Sequence, residues 1–492
     1  MSHIKIIFGL KVKQLRQERN LSFAELALGT GMSISYLNEI EKGKKYPKED
    51  KIELLARALG TTASELVSPR LTKQLAPLGE LLKSQFLNDL HLEVYGIDTN
   101  KVIEMLADAP SQVGAFISTL MEISRHHSVQ QEHFYFASLR SYQEMHLNYF
   151  EDLEQHVDAC ILRFGLDTDG TVVSIHRLAA ILKEEYGYTI NDTALMQHDE
   201  LNGLRSYFVP ENSQLFIRND LTAPQAAFVL GREIAYNYLD IKERNYASTP
   251  LQIKSFDHVL ENFRSAYFAV ALLLHREPLL SDLRVFFNQK KWSPDGFLSI
   301  MQGYQASPEM FFHRLTNLLP RFFGLNQLFF LRFSNEWGST EYHLTKELHL
   351  TKLHHPHGNA VREHYCRRWL TIGLLDELHS AQAQKNTPNE AAIAGAQRST
   401  YFGTTDEYLC LTIARAGFPT PNTNISVTIG LEVTDTLRQK IKFLDDAAIP
   451  TQIVNQTCER CPITDCAVRA VPPRIVEEQA RKQKVLDTLL KL

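Results

Sequence analysis

The sequence has no apolar run long enough to cross a membrane. Its longest purely apolar stretches, such as Ala269 to Leu274, fall far short of the roughly 20 residues a spanning helix needs. Residues 1–10 also lack the charged, then apolar, then small-residue pattern of a secretory leader, so a cytoplasmic protein with no membrane partner is expected. Cysteine is scarce: six in 492 residues are too few for a disulfide framework. Internal repeats and low-complexity tracts are missing as well. With 44% hydrophobic and 22% charged residues, the composition lacks the low-hydrophobicity, high-charge balance of a disordered chain. The length points to about three folded domains.

Charge is unevenly spread. The formal net charge is −5, yet residues 1–70 carry net +4 and the remainder net −9. Local positive charge is what phosphate neutralisation needs, so a nucleic-acid-binding N-terminus joined to acidic domains fits this split. The same segment reads as five short helices. Ile4 to Arg19 has helical apolar spacing. Ser22-Phe-Ala-Glu25 is a capping box, and Gly29-Thr-Gly31 breaks the helix that it starts. Ser33 caps a further helix to Lys42, which Gly43 ends as a left-handed residue.

Two helices joined by a glycine turn make a helix-turn-helix. Phe23-Ala-Glu-Leu-Ala27, Gly31-Met-Ser33, Tyr36-Leu-Asn-Glu-Ile-Glu-Lys-Gly43, Pro47 and Leu54-Leu-Ala-Arg-Ala-Leu-Gly60 resemble the Xre/lambda-repressor type of this domain across residues 5–68. The resemblance implies that the second helix of the motif enters the major groove of an operator. It places Ser33, Ile34, Ser35 and Asn38 at base edges, with Tyr36, Lys42, Lys44 and Lys45 near phosphate. Arg16 and Glu41 occupy the positions of a structural ion pair.

Residues 71–165 read as a helical linker and dimerisation region, with Gln130 to Arg163 as one long helix carrying Phe134, Phe136, Tyr142, Tyr149 and Phe150 as a packing stripe. Residues 166–290 change pattern: a helix from Ser174 to Tyr186, strand-like segments near 188–190, 204–209 and 214–217, then helices from Pro224 to Leu239 and through Phe263 to Leu274. This order resembles the ImmA/IrrE-type metallopeptidase domain, whose long helix carries HExxH in active members. Here the corresponding residues are Arg232-Glu233-Ile234-Ala235-Tyr236, with Asn262 at the approximate place of a third ligand. Arginine does not deprotonate to bind zinc. A degenerate fold without catalysis is expected, Glu233 being no general base.

Residues 291–492 read as an α+β domain. Phe329 to Phe333, Tyr408 to Ile413 and Asn424 to Gly430 are strand-like, and Asn359 to Gln382 and Asp435 to Leu444 helix-like. A helix from Arg474 to Leu492 presents Val476, Ala480, Val485 and Leu489 at packing spacing. Cys458-x2-Cys461-x4-Cys466 supplies three closely spaced thiols, with Cys366 as candidate fourth ligand. Such a set suits a soft metal or an iron–sulfur cluster, though buried reduced thiols explain it equally. His354-His355-Pro-His357 and His126-His127 read as solvated or end-capping groups, and Cys160 and Cys410 as inert core.

Cys366-x-x-Trp369, Cys458-x-x-Cys461, Cys466-Ala-Val-Arg469-Ala470 and Pro472-Pro473, with Phe134-Tyr135, Arg140-Ser-Tyr142 and Asn148-Tyr-Phe150, resemble the short-chain fatty acyl transcriptional regulators over nearly the whole chain. That resemblance implies a homodimeric operator-binding regulator of fatty acid metabolism that senses a short-chain acyl-CoA, in some members with an iron–sulfur cluster, zinc being the alternative occupant. The chain departs from the pattern at Arg367, where proline is usual, and at Leu431, where cysteine is often found. The expected fold is multidomain: an all-α N-terminal bundle and helical linker, then α+β zincin-like and α+β sensor domains. Rival readings are a phage-type repressor or antitoxin governed by a protein partner, and a repressor-cleaving peptidase.

Overall fold

A computed structural model of the chain describes residues 3–68, 131–166, 172–248, 253–350, 363–385, 392–417 and 422–491. The chain divides into two compact units, residues 1–142 and 143–492. The linker expectation lies largely outside the described residues, as do His126, His127 and His354 to His357.

In the N-terminal unit, α1 (His3–Glu18), α2 (Phe23–Thr30), α3 (Ile34–Glu41), α4 (Glu49–Ala58) and α5 (Ala63–Val67) close around one core. Phe8, Val12, Leu26, Leu37, Ile40, Leu55 and Leu66 form it. The capping box is present: Glu25 N–H donates to the Ser22 hydroxyl at 3.2 Å while Ser22 N–H donates to the Glu25 carboxylate at 2.7 Å. Gly31 and Gly43 take positive φ (68° and 67°), so each ends its helix in the left-handed conformation that a side chain disfavours. Gly9 has a different role. A Cβ there would stand 2.3 Å from the Ile40 carbonyl oxygen, so its missing side chain lets α1 lie directly on the end of α3.

The predicted long helix from Gln130 to Arg163 is instead two, α6 (Gln131–Met145) and α7 (Glu151–Phe164). Leu147 and Asn148 break it with positive φ of 51° and 52°. The cause is tertiary: the Asn148 side chain donates to Thr316 Oγ1 at 2.8 Å, and Asn317 donates to the Asn148 carbonyl at 2.7 Å. These contacts hold a backbone conformation that helical periodicity does not reveal.

After α8 (Ile175–Tyr186) come β1 (Thr189–Asn191), β2 (Ser206–Val209) and β3 (Gln214–Ile217), forming a mixed sheet of order β1-β3-β2. Helices α9 (Ala223–Tyr238), α10 (Phe256–Leu273), α11 (Arg276–Phe287), α12 (Pro294–Gly303) and α13 (Pro308–Leu318) follow. A second sheet, of order β5-β4-β8-β7-β6-β9, is built from β4 (Leu328–Glu336), β5 (His343–His349), β6 (Ile393–Tyr401), β7 (Glu407–Ala416), β8 (Thr423–Glu432) and β9 (Thr451–Val454), the last parallel to β6. One of its faces meets α14 (Leu370–Lys385) and the other meets α12 and α13.

Three further expectations are corrected. Of the helix read over Asn359 to Gln382, residues 359–362 lie outside the described residues; from residue 363 onward the helix starts only at Leu370, after an isolated bridge at Tyr365. The one read from Asp435 to Leu444 is α15 (Asp435–Lys440), stopping where Ile441, Phe443 and Leu444 turn into the core. The last helix, α16 (Arg474–Leu489), buries no residue, so its apolar positions make no packed face within the described chain. Among the described residues no helix is long and apolar enough to cross a membrane.

Candidate functional site

Helix α3 carries the expected DNA-reading positions. Its inner side, Leu37, Ile40 and Glu41, is buried, and Ser33, Ile34, Ser35 and Asn38 are exposed on the outside. The Ser33 hydroxyl accepts Tyr36 N–H at 3.2 Å, so it starts the helix as well as facing outward. Arg16 and Glu41 form a bidentate pair at 2.7 and 2.9 Å, and the Arg16 guanidinium stacks 4.2 Å from the Phe23 ring. Arg16 is therefore structural. Lys42, Lys44 and Lys45 are exposed beyond the end of α3, and Lys45 also bridges to Glu39 at 2.9 Å. Tyr36 is half-buried against the core, with Lys51 standing 4.4 Å from its ring centroid.

In the second unit, the three positions assigned to lost metal ligands bond one another. The Arg232 guanidinium donates to Tyr236 Oη at 2.6 Å and to Asn262 Oδ1 at 2.8 Å. Glu233 points elsewhere: Arg244 donates to its carboxylate at 2.5 Å and Tyr188 Oη donates at 3.0 Å. Burial, with the Glu233 charge beside it, pushes the Tyr188 phenol up to about 12, so it serves as a donor at neutral pH. The Arg244 guanidinium also lies 4.2 Å from the ring centroids of both Phe208 and Tyr236.

A second feature was not visible in the sequence. Lys346 on β5 is exposed to solvent, and neighbouring chain crowds its ammonium at the rim of a cleft. The charges acting on it are Glu309, Arg332, Arg205 and Arg232, and Arg415 acts with them on Arg205. Arg205, Arg332, Lys346 and Arg415 thus act with one carboxylate, Glu309, and Arg232 acts on Lys346. Burial by itself would raise the Glu309 carboxyl, but the guanidiniums of Arg415 and Arg332, at 3.5 and 3.1 Å, outweigh it and hold its pKa at about 2. Burial lowers Lys346 below the ordinary lysine value, as it does Arg205. His313, stacked 4.4 Å from Phe330, is held neutral by burial and by Lys346, with a pKa of about 3. The buried Nε groups of Arg232 and Arg415 have no hydrogen-bond partner among the described residues. The cleft residues come from five separate elements and the loop before β2, so no local pattern in the sequence marks them.

The other face of the six-stranded sheet holds a cavity of about 360 Å³, counted out to its mouth, lined by Phe329, Trp369, Ser399, Tyr401, Tyr408 and Cys410 among others. Phe329 fits there because its paired residue on β8 is Gly430, where a Cβ would lie 2.1 Å from the ring. Burial pushes the Cys410 thiol up to about 11.

Cys366 belongs to the same apolar cluster as this cavity. The Tyr365–Thr457 bridge brings it beside the loop of Cys458 and Cys461, and all three thiols are buried, whereas Cys466 is half-exposed. Backbone N–H groups of Asn455 and Ala470 point at Cys366 Sγ (3.5 Å) and Cys458 Sγ (3.4 Å). Arg469 ties the loop by donating to the carbonyls of Cys458, Cys461 and Ile463. Burial raises the Cys366 thiol, and the N–H groups of Asn455 and Arg368 partly offset it. Soft, buried sulfurs with N–H donors suit a thiolate-bound metal or cluster in their chemistry. As they stand, no three His, Cys, Asp or Glu side chains among the described residues are arranged to hold a metal ion.

Comparison with known proteins bears on the N-terminal unit. The chain is 31% identical over 128 residues to the cryptic phage CTXphi transcriptional repressor RstR of Vibrio cholerae, covering 98% of that protein and 26% of this chain. It is 39% identical over 69 residues to control protein C.MunI of a Mycoplasma species, covering 93% of that protein and 14% of this chain. A solved structure of a Mycobacterium tuberculosis transcriptional regulator matches with a TM-score of 0.46 and 19% identity, covering 69% of this chain and 93% of that one. The Helix-turn-helix family model matches residues 12–66, and through this domain, with its capped and outward-facing α3, the chain belongs to the helix-turn-helix family of DNA-binding transcriptional regulators.

Proposed function

We propose that this regulator senses a short-chain acyl-CoA through its second unit and adjusts transcription of fatty acid metabolism accordingly, binding paired operator half-sites as a homodimer. The observation that carries the ligand reading is the cationic cleft. Arg205, Arg332, Lys346 and Arg415 act with one acid, Glu309, and Arg232 acts on Lys346 beside them. A coenzyme A thioester offers a diphosphate and a 3′-phosphate, whose negative charge would offset the excess of cations over acids here. The unpartnered Nε groups of Arg232 and Arg415 fit this reading, because a buried donor left without an acceptor costs about 1–3 kcal/mol.

The same arrangement argues against peptidase chemistry. A zinc-bound water needs ligands that give up or lack a proton, and an arginine stands at the first position. Glu233, held by Arg244 and Tyr188, is engaged in an ion pair and not poised over a water.

Cys366, Cys458, Cys461 and Cys466 are the residues that would hold an iron–sulfur cluster, or zinc in its place, once their sulfurs draw together. Bound there, it would tie the C-terminal loop to the start of α14. Anaerobic purification with iron, sulfide and zinc analysis of the parent and Cys461→Ser tests this. Metal present in the parent and lost in the variant supports the site; metal-free parent protein with unchanged stability in the variant removes it.

Calorimetric titration of the full chain with propionyl-CoA tests the ligand reading. Binding that weakens with salt, and that falls at least tenfold in Arg332→Gln with Lys346→Gln, is expected. Absence of binding by propionyl-CoA, butyryl-CoA and coenzyme A, together with a co-purifying protein that alters DNA binding, would favour control by a protein partner.

A further inference from the structure

Helix α13 touches the cleft at one end and the break between α6 and α7 at the other. Glu309, His313, Thr316 and Asn317 follow the i, i+4, i+7, i+8 spacing, so they form one stripe along the helix. From Glu309 to Asn317 it rises about 12 Å. At its first turn Glu309 accepts from Arg332 on β4 at 3.1 Å and pairs with Arg415 on β7 at 3.5 Å. One turn on, His313 stacks on Phe330. At its last turn Thr316 and Asn317 hold Asn148, the left-handed residue of the break. Gln143 at the end of α6 donates to the Asn148 Oδ1 at 3.1 Å.

Further bonds join α13 and α10 to the segment after the break. Arg314, between those positions, pairs bidentately with Glu154 of α7 at 2.5 and 2.9 Å, both side chains being fully buried. Tyr267 Oη donates to Glu154 at 2.7 Å and accepts Phe150 N–H at 3.3 Å. Only the stripe end at Glu309 opens to the cleft. Helix α6 (Gln131–Met145) ends at the break and includes the boundary at residue 142.

We propose that α13 is the element by which occupancy of the cationic cleft is communicated to the α6–α7 break, through exchange of Glu309 for the ligand at Arg332 and Arg415. The proposal deepens the ligand reading above and rests on it for the identity of the anion. A phosphate offers these arginines more charge than one carboxylate does. Its arrival frees Glu309 and the first turn of α13 from the sheet. Because α13 is packed and bonded along its length, that end does not move alone, and the Thr316 and Asn317 contacts to Asn148 shift with it. A purely architectural α13 would hold Asn148 equally well with the cleft empty or filled.

Hydrogen–deuterium exchange on the full chain separates these cases, with propionyl-CoA as the probe. In the parent, the ligand is expected to change exchange several-fold both at residues 328–349 and at residues 143–154. In Asn317→Ala the first change is expected to persist and the second to vanish, together with any effect of ligand on operator affinity. Should Asn317→Ala fail to fold, Asn148→Gly allows the same left-handed backbone while deleting the side-chain bonds to Thr316 and Gln143, and is expected to blunt the same response. A parent whose cleft is protected while residues 143–154 are untouched, or variants that transmit as the parent does, would overturn the proposal. If propionyl-CoA protects nothing, the ligand reading fails and Glu309→Gln decides the coupling alone. It releases the tether without ligand: a several-fold change at residues 143–154 sustains the proposal, and no change overturns it.

Discussion

Arg232 donates to Asn262 across 2.8 Å, joining two positions that a zinc peptidase of the resembled type would give to metal ligands. Tyr236 completes the set at 2.6 Å. The pocket is thereby filled by one cation and its acceptors, and the neighbouring Glu233 is drawn into a separate buried pair with Arg244.

Replacing Glu233 tests this arrangement. Glu233→Gln retains hydrogen-bonding atoms and is expected to leave DNA binding and ligand response as in the parent, with no proteolysis of casein or of the chain itself in either protein. Glu233→Ala strands the Arg244 guanidinium in a buried site, and is expected to cost about 3–5 kcal/mol in urea unfolding. Zinc-dependent proteolysis in the parent that Glu233→Gln abolishes would reverse the conclusion.

Asn38 and the lysines after α3 separate reading from holding. Asn38→Ala is expected to lower discrimination between operator and altered duplexes by about 1–3 kcal/mol, as for a side chain bonded to a base edge. Lys44→Ala with Lys45→Ala should instead weaken every duplex alike and flatten the dependence on salt, with Lys45 contributing less because Glu39 already neutralises part of its charge. Competition binding at several salt concentrations measures both.

Gly9→Ala places a methyl group against the Ile40 carbonyl, where 2.3 Å is available. Helix α1 must then move off α3. A loss of about 1–3 kcal/mol in the melting of the N-terminal unit is expected, with a matching loss of operator binding. Unchanged melting would show that the two helices do not approach as described.

The Glu309 carboxyl has a folded pKa near 2, below its ordinary value of 4.5. A depressed carboxyl contributes stability that is fully present above the unfolded pKa and is lost as pH falls through the folded one. The parent should therefore exceed Glu309→Gln by on the order of 3 kcal/mol at pH 7, and the gap should close between about pH 4.5 and pH 2. Chemical denaturation across that range reads it directly; a gap independent of pH would mean that Glu309 acts by packing alone.

The helix-turn-helix was legible because its signals are local. Ser22 with Glu25, Ser33, Gly31 and Gly43 each act within one turn, and the Arg16–Glu41 pair followed from the motif. Strands β4, β7 and β8 announced themselves through runs of apolar residues. β5 and β6 did not, since His343–His349 and Ile393–Tyr401 mix polar residues on partly exposed ground. The break at Asn148 escaped because its left-handed backbone is imposed by Thr316 and Asn317, about 170 residues away. The cleft escaped for the same reason: its cations come together only when β4, β5, β7, α9 and the loop before β2 are in place. In α16 the pattern misled in the opposite direction, apolar spacing there having no surface within the described chain to cover.

In the function proposed above, one chain joins an operator-reading α3 to a cleft that binds acyl-CoA. The direct measurement is fluorescence anisotropy of a duplex selected by the full chain, titrated with that chain in the presence and absence of propionyl-CoA. The ligand is expected to change operator affinity at least tenfold, about 1.4 kcal/mol, and Arg332→Gln with Lys346→Gln to abolish the change while leaving ligand-free binding intact. Operator affinity that stays constant at every concentration of propionyl-CoA, butyryl-CoA and free coenzyme A would contradict it.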